Sequence, residues 1–341
     1  MKRIIGRLLP VTSFVPTLGS VGSYCLMIML SFTLCHASAQ PKVGLVLGGG
    51  GAKGGAEVGA LKVLERAGIK PDIIVGTSIG AIVGGLYAAG YTADELDALF
   101  SQQQWLSLLT DRNDKYGGDP YIKVDGVTYI FGFPVIDRNN PSFGVLRGAR
   151  VEQVIDSMLA SKNKVEFEQL KTPFACVAVE MITANEVILS DGVVPRAMRA
   201  SMAIPGIFKP VEIEGRKLVD GGMMNNLPVD VARNLGADIV IAIDLQQNKP
   251  QERKAPDNTL LGIADAVGLG IVNWVAKRPD ITKYNKNRKD ADIYVNPPLP
   301  DQEASSFGNK SMRQMITVGE QAMNKHWEEL MKLKKSLNST N

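Results

Sequence analysis

The sequence predicts an α/β protein, a three-layer α/β/α sandwich on a mainly parallel central sheet. Three observations carry this. Val43–Leu47 is a short apolar run that closes on four glycines and reads as a buried strand. The segment after it has apolar residues at helical spacing, and a second strand and helix follow directly. A further buried strand, 238–244, comes later, again behind a helix.

The elements follow in order. Gly54–Ala67 reads as a helix, with Val58, Leu61, Val63 and Leu64 on its apolar side and Gly68 as its stop. Asp72–Val75 is the second strand and Ile79–Ala89 the second helix, stopped by Gly90. From Gln102 to Gly148 the pattern loosens around Tyr116-Gly117-Gly118, Phe131-Gly132-Phe133-Pro134 and Asn139-Asn140-Pro141. This stretch reads as an insertion with short strands, either a surface excursion or a lid that meets a membrane. Helices are expected over 149–160, 193–202 and 229–235, and strands over 174–179, 186–189, 217–219 and 292–295. Gln246–Asn258 is polar and reads as exposed. Leu260–Val275 is too apolar for an exposed helix, so core or interface must absorb it. Ser311–Lys335 repeats Met312, Met315, Ile316, Met323, Trp327, Leu330 and Met331 as one amphipathic helix.

Residues 1–39 have a secretory layout. Lys2, Arg3 and Arg7 precede an apolar run of about 11 residues, too short for the roughly 20 that span a bilayer. Ala37-Ser38-Ala39 then supplies a small-x-small cleavage site. The expected destination is export across the cytoplasmic membrane, to a periplasmic, secreted or membrane-associated state. The leader holds three of the 38 Lys and Arg and none of the 35 Asp and Glu, so residues 40–341 balance at 35 against 35. The basic excess therefore belongs to the leader, and nucleic acid is not an expected partner. Cys176 is the one cysteine outside the leader, which leaves no internal disulfide.

Three motifs carry chemistry. Gly48-Gly49-Gly50-Gly51-Ala52-Lys53-Gly54 joins a strand to a helix, where bare amides and a helix N-terminus form an anion site. It is a poor nucleotide loop. Lys53 is followed by Gly54 rather than Ser or Thr, and Asp72 opens the second strand where a dinucleotide site needs an acid at its end. Gly76-Thr77-Ser78-Ile79-Gly80 reads G-x-S-x-G at a strand-to-helix turn, the setting that lifts a nucleophilic serine from a sheet. Asp220-Gly221-Gly222 follows a short strand. Such a serine needs a base, and the chain has only His36, in the leader, and His326, in the C-terminal tail. Either Asp220 is the base, made effective by burial, or His326 completes a triad, or Ser78 is no nucleophile.

Together the three motifs resemble the patatin-like phospholipase family. The resemblance runs from about Val43 to Val295 and implies a single patatin-like domain over 40–341 with a C-terminal helix. It implies a Ser–Asp dyad of Ser78 and Asp220 without histidine. Gly49, Gly50, Gly51, Ala52, Lys53 and Gly54 match the family's oxyanion loop, with the amides of Gly50 and Gly51 holding the oxyanion. Gly76, Thr77, Ile79 and Gly80 form the elbow, and Gly221 and Gly222 complete the D-G-G motif. Ala200-Ser201-Met202-Ala203-Ile204-Pro205-Gly206 is similar to a serine–proline block beside the site, and Ser201 is given no chemistry. The implied activity is hydrolysis of lipid carboxylic esters, of phospholipase A or lysophospholipase type, with transient membrane contact and no cofactor or metal. A non-catalytic module that uses the glycine loop to bind a lipid or anionic headgroup is the other reading. N-terminal analysis of the exported protein is expected to begin at Gln40; retention of residues upstream of Ala37 would overturn the cleavage.

Overall fold

The computed structural model describes residues 40–112, 121–124, 127–130, 133–134, 144–246, 281–300, 302 and 305–339. The leader, Tyr116-Gly117-Gly118, Phe131-Gly132, Asn139-Asn140-Pro141, nearly all of Gln246–Asn258 and the Leu260–Val275 run lie outside them. Pro41–Ser339 gathers into one compact unit.

An eight-stranded mixed sheet forms the middle layer. Strands β1 (Val43–Leu47), β2 (Ile73–Thr77), β7 (Phe174–Glu180), β12 (Ile239–Ile243) and β13 (Ile293–Val295) run parallel in the order β7-β2-β1-β12-β13. Beyond them β8 (Glu186–Leu189), β10 (Val211–Ile213) and β11 (Arg216–Asp220) add antiparallel pairs. Side chains alternate between the faces, as strand geometry requires. Leu45, Leu47, Ile74, Cys176, Ile241 and Ile243 enter the larger apolar core, while Val46, Val75, Val177, Val240 and Ala242 enter a smaller one. The larger core meets helices α1 (Gly55–Arg66), α2 (Ile79–Ala88), α5 (Ala149–Ser161) and α6 (Val194–Ser201). The smaller core meets α7 (Val229–Asn234) and contains Tyr284 of α8 (Ile281–Asp290). This is a three-layer α/β/α sandwich with a mainly parallel sheet.

Helix α3 (Ala93–Gln102), not among the expected elements, buries Ala93, Leu96 and Phe100 at helical spacing. Its start is written in a capping box, Thr92 with Glu95, each side chain taking the other's backbone N–H. A short helix α4 (Trp105–Leu109) follows, with the Trp105 indole donating to the Phe100 carbonyl. The insertion contains short strands β3 (Tyr121–Val124), β4 (Val127–Ile130) and β5 (Phe133–Pro134), paired as an antiparallel sheet. Its last strand, β6 (Gly144–Leu146), pairs parallel with β9 (Gly206–Phe208).

The expected single C-terminal helix is two, α9 (Asn309–Asn324) and α10 (Trp327–Ser339). At Lys325 and His326 the amides bond back only three residues, to Ala322 and Met323, and the helix axis is interrupted. The apolar stripe of α9 ends at Met323 and resumes at Leu330, Leu333 and Leu337. Met331, counted with the stripe in sequence, faces solvent at 41 % exposure. Helix α9 lies so close to α1 that a methyl on Gly59 would overlap the Ile316 carbonyl, and one on Gly319 the Ala56 carbonyl. The Lys334 ammonium, part of a basic run suited to a membrane surface, donates to the Gly68 carbonyl at 2.6 Å and so closes the C-terminal end of α1. Gly319→Val is expected to destabilise the fold by about 3 kcal/mol or more through overpacking against backbone, and Met331→Ala by less than about 0.5 kcal/mol. Urea unfolding of both variants checks the pair.

Candidate active site

Ser78 directly follows β2 and adopts φ 57°, ψ −121°, a strained conformation for a non-glycine residue. The flanking glycines make the turn possible. A methyl on Gly76 would collide with the Gly80 carbonyl, and one on Gly80 with the Leu47 carbonyl. The strained backbone is held by Ser201 at the end of α6. The Ser78 amide donates to Ser201 Oγ at 2.9 Å, and Ser201 Oγ donates onward to the Val177 carbonyl at 2.6 Å. Ser201 was given no chemistry in sequence, and the structure makes it the anchor of the elbow.

Strand β7 brings Asp220 to Ser78. Along one edge β7 pairs with β8, through Val177 with Ile188 and Ala178 with Val187. The other edge is shared. Strand β2 occupies it up to the Thr77–Val177 pair, and β11, running the opposite way, takes the next position with Asp220 opposite Ala178. The two strand ends therefore meet across consecutive residues of β7. Gly221 continues over Val177, so closely that any side chain would meet the Val177 carbonyl.

In this position Ser78 Oγ donates to Asp220 Oδ2 at 2.7 Å. Asp220 Oδ1 accepts the Gly222 amide at 2.7 Å, and the Asp220 amide donates to the Ala203 carbonyl at 2.9 Å. Both side chains are buried. Burial pushes the Asp220 carboxyl up to about 6, against the opposing pull of the hydrogen bonds from Gly222 and Ser78. His326 pairs with Glu329 in its own helical tail at 3.2 Å.

The glycine loop becomes a single turn of 3-10 helix, Gly51–Gly54, ahead of α1, and Gly51 sits at φ 60°. The six residues matched to the oxyanion loop differ in what their amides do. The Gly49 amide donates to the Asn226 carbonyl at 3.1 Å and the Lys53 amide to the Gly50 carbonyl at 3.3 Å, so neither is free for an oxyanion. The amides of Gly50 and Gly51 donate to no backbone acceptor among the described residues. Asn226 also donates from Nδ2 to the Gly49 carbonyl at 2.9 Å. Sequence reasoning passed over Asn226; its one signal is a pair of polar residues, Asn225-Asn226, inside a stretch that otherwise turns apolar.

Behind the loop lies Glu57, in the first turn of α1. It is fully buried, and among the described residues neither carboxylate oxygen makes a well-formed hydrogen bond, although the Gly48 amide lies near enough to favour the charged form slightly. Burial first, and the nearby charge of Asp244 second, hold its carboxyl well above the usual range. The raised proton affinity disfavours a negative charge that would cancel the positive field of the helix N-terminus. Among the described residues no group of three or more His, Cys, Asp or Glu could hold a metal. Carboxyl carbon NMR is expected to show Asp220 titrating near 6. In Ser78→Ala the midpoint should move higher, because a hydrogen bond that favours the carboxylate is gone; a midpoint near 4 in the native protein would contradict the burial argument.

A sequence profile described as patatin-like phospholipase matches residues 45–233. The chain is 34 % identical over 210 residues to an uncharacterized NTE family protein of Mycobacterium tuberculosis, covering 62 % of this chain and 51 % of that one. It is 32 % identical over 222 residues to human patatin-like phospholipase domain-containing protein 6, covering 64 % of this chain and 14 % of the relative. With domain-containing protein 7 of rat it shares 33 % over 243 residues, 71 % of this chain and 16 % of the relative. The chain thus spans about half the length of these relatives, or much less. Among solved structures it overlaps VipD of Legionella pneumophila with a TM-score of 0.41 at 14 % identity, over 85 % of this chain and 67 % of that one. It overlaps the type III effector ExoU at 0.44 and 13 %, over 85 % and 53 %. The sequence match covers the glycine loop, the serine elbow and the D-G-G motif together, and the chain belongs to the patatin-like phospholipase family.

Proposed function

We propose that this protein hydrolyses carboxylic ester bonds of lipids through a dyad of Ser78 and Asp220. The observation that carries the reading is the 2.7 Å hydrogen bond from Ser78 Oγ to a buried carboxylate whose proton affinity is raised to about 6. Ser78 Oγ attacks the ester carbonyl carbon as its proton passes to Asp220 Oδ2. The carbonyl oxygen gains the negative charge and is held by the amides of Gly50 and Gly51. Collapse of the tetrahedral intermediate breaks the ester bond, and Asp220 returns the proton to the leaving alcohol. Water repeats the sequence on the acyl-enzyme, with Asp220 again as base, and releases the fatty acid.

The lipid class follows from the family name shared with the relatives, and the rim of the site fits it. β7 runs parallel to β2 and continues past the level of Ser78. Its turn into β8 carries Ile182, 79 % exposed, and Ile204 next to the serine–proline turn is also exposed. Apolar side chains at that end of the sheet suit contact with a lipid surface. Export of the chain, through residues 1–39, belongs to the same proposal and would place the enzyme among extracytoplasmic lipids.

The test is hydrolysis of a phospholipid and short-chain ester panel by the protein and its variants. Ser78→Ala and Asp220→Asn should each lower kcat on the order of 10⁴-fold, and the double variant should lose little more, because the two act as one unit. His326→Ala should retain turnover. Asp220 must be ionised to accept a proton, so kcat/KM should rise with pH through a midpoint of about 6 and then level. Activity lost in His326→Ala at unchanged folding would refute the dyad in favour of a triad. Full binding to lipid with no turnover by the native protein would favour the binding module.

A further inference from the structure

We propose that Asn226 is the positioning residue of the oxyanion donors, a role that rests on the serine hydrolase reading and adds a third side chain to the dyad. The argument begins with the peptide unit between Gly49 and Gly50. A peptide is planar and trans, so its C=O and N–H point in opposite directions. The C=O of this unit is that of Gly49, which accepts from Asn226 Nδ2 at 2.9 Å. The N–H of the same unit is that of Gly50, an amide left without a backbone acceptor among the described residues. Fixing the carbonyl on one side therefore aims the Gly50 amide on the other. The preceding peptide is held too, because the Gly49 amide donates to the Asn226 main-chain carbonyl at 3.1 Å. One residue grips Gly49 at both its donor and its acceptor.

Asn226 is 6 % exposed and lies on the loop that begins with Asp220. That loop is itself closed by the amides of Met224 and Asn225 donating to the Gly221 carbonyl, at 3.0 and 2.9 Å. The Asn226 side chain fills a space where neither Gly49 nor Gly222 tolerates a methyl, since each added carbon would strike Asn226 Oδ1. The added carbon on Gly49 would also come within 3.2 Å of Ser78 Cβ. Base, nucleophile and oxyanion loop thus converge on this one amide. A glycine loop is free to rotate its peptides, and a rotated 49–50 peptide would present a carbonyl oxygen to the developing oxyanion. The bond from Asn226 opposes that rotation, and it polarises the peptide so that the Gly50 amide donates more strongly.

The test uses the full chain with a soluble short-chain ester, an ester-shaped trifluoromethyl ketone that forms a tetrahedral adduct on serine, and the unreactive ether analogue of the ester. Asn226→Ala removes the donor. Asn226→Asp keeps the shape and puts a carboxylate oxygen where the donor was. Both are expected to lower kcat by about 10²-fold, the scale of an ångström-sized misplacement of catalytic groups, with KM and ether affinity within about threefold. Ketone affinity should fall by the same factor as kcat/KM. Thermal melts keep the comparison to folded protein, and Asn226→Asp carries the test if Asn226→Ala melts below the assay temperature. A variant that melts lower yet keeps kcat within threefold overturns the proposal, since Asn226 would then serve stability alone. So does a fall in kcat with ketone affinity unchanged. Turnover that survives in Ser78→Ala has a separate signature. It removes the serine mechanism itself, and the role of Asn226 with it.

Discussion

The site depends on a change of partner along one edge of β7. At Val177 the neighbour is β2, and at Ala178 it is β11 running the other way. A strand edge passed from a parallel to an antiparallel partner leaves one carbonyl at the junction, that of Val177, which accepts from Ser201 Oγ. The elbow amide of Ser78 hangs on the same hydroxyl. Gly221 must pass directly over this carbonyl, which explains a glycine immediately after Asp220. Ser78, Asp220 and the serine of α6 are thus located by one feature of sheet pairing rather than by three independent loops. A small displacement of β7 would move all of them together and leave their mutual distances nearly intact.

The electrostatics follow from the same crowding. Strand ends packed this tightly exclude water, so Asp220 accepts two hydrogen bonds and still has a raised proton affinity. Glu57 is fully buried as well, and burial with the nearby Asp244 charge raises its carboxyl well above the usual range. Asp220 near 6 remains a carboxylate at neutral pH and can accept a proton, while Glu57, in the first turn of α1, holds its proton more tightly than a solvated glutamate does. Helix α9 reinforces that loop from behind. The glycine at position 55, where α1 begins, leaves no room for a methyl beside the Met312 sulfur, so the C-terminal helix abuts the base of the loop itself.

Much of this was legible from residue type and spacing. Glycine stops placed the ends of α1 and α2 within a residue or two, and apolar runs placed β1, β2, β7 and β12 because fully buried strands leave an unbroken apolar signature. The three motifs named Ser78 and Asp220 because the chemistry needs those types. What sequence did not yield depends on geometry across long separations. Ser201 and Asn226 act through backbone groups 123 and 177 residues away, and nothing in a serine or an asparagine advertises which carbonyl it will meet. Residue type alone did not show that the amides of Gly49 and Lys53 are spent on the Asn226 and Gly50 carbonyls. The break before Trp327 hid because one apolar period runs almost continuously through it.

On the proposed dyad, doing without a histidine base has a physical explanation. A solvated aspartate, near 3.9, holds a proton too weakly to take one from serine, whereas histidine sits near 6.5. Burial lifts Asp220 to about 6, across most of that gap. The lift of roughly two units corresponds to about 3 kcal/mol of discrimination against the charged form. It also sets a sign for stability. Folded protein holds this proton more tightly than the unfolded chain does, so this group's contribution falls as pH rises from about 4 to about 6 and is constant above. The carboxylate is therefore least welcome in the pH range where it would work as a base. A charge held against its preference lies one hydrogen bond from a serine held against its own backbone preference. The packing of β7, Gly221 and Ser201 supplies the stability that keeps both in place.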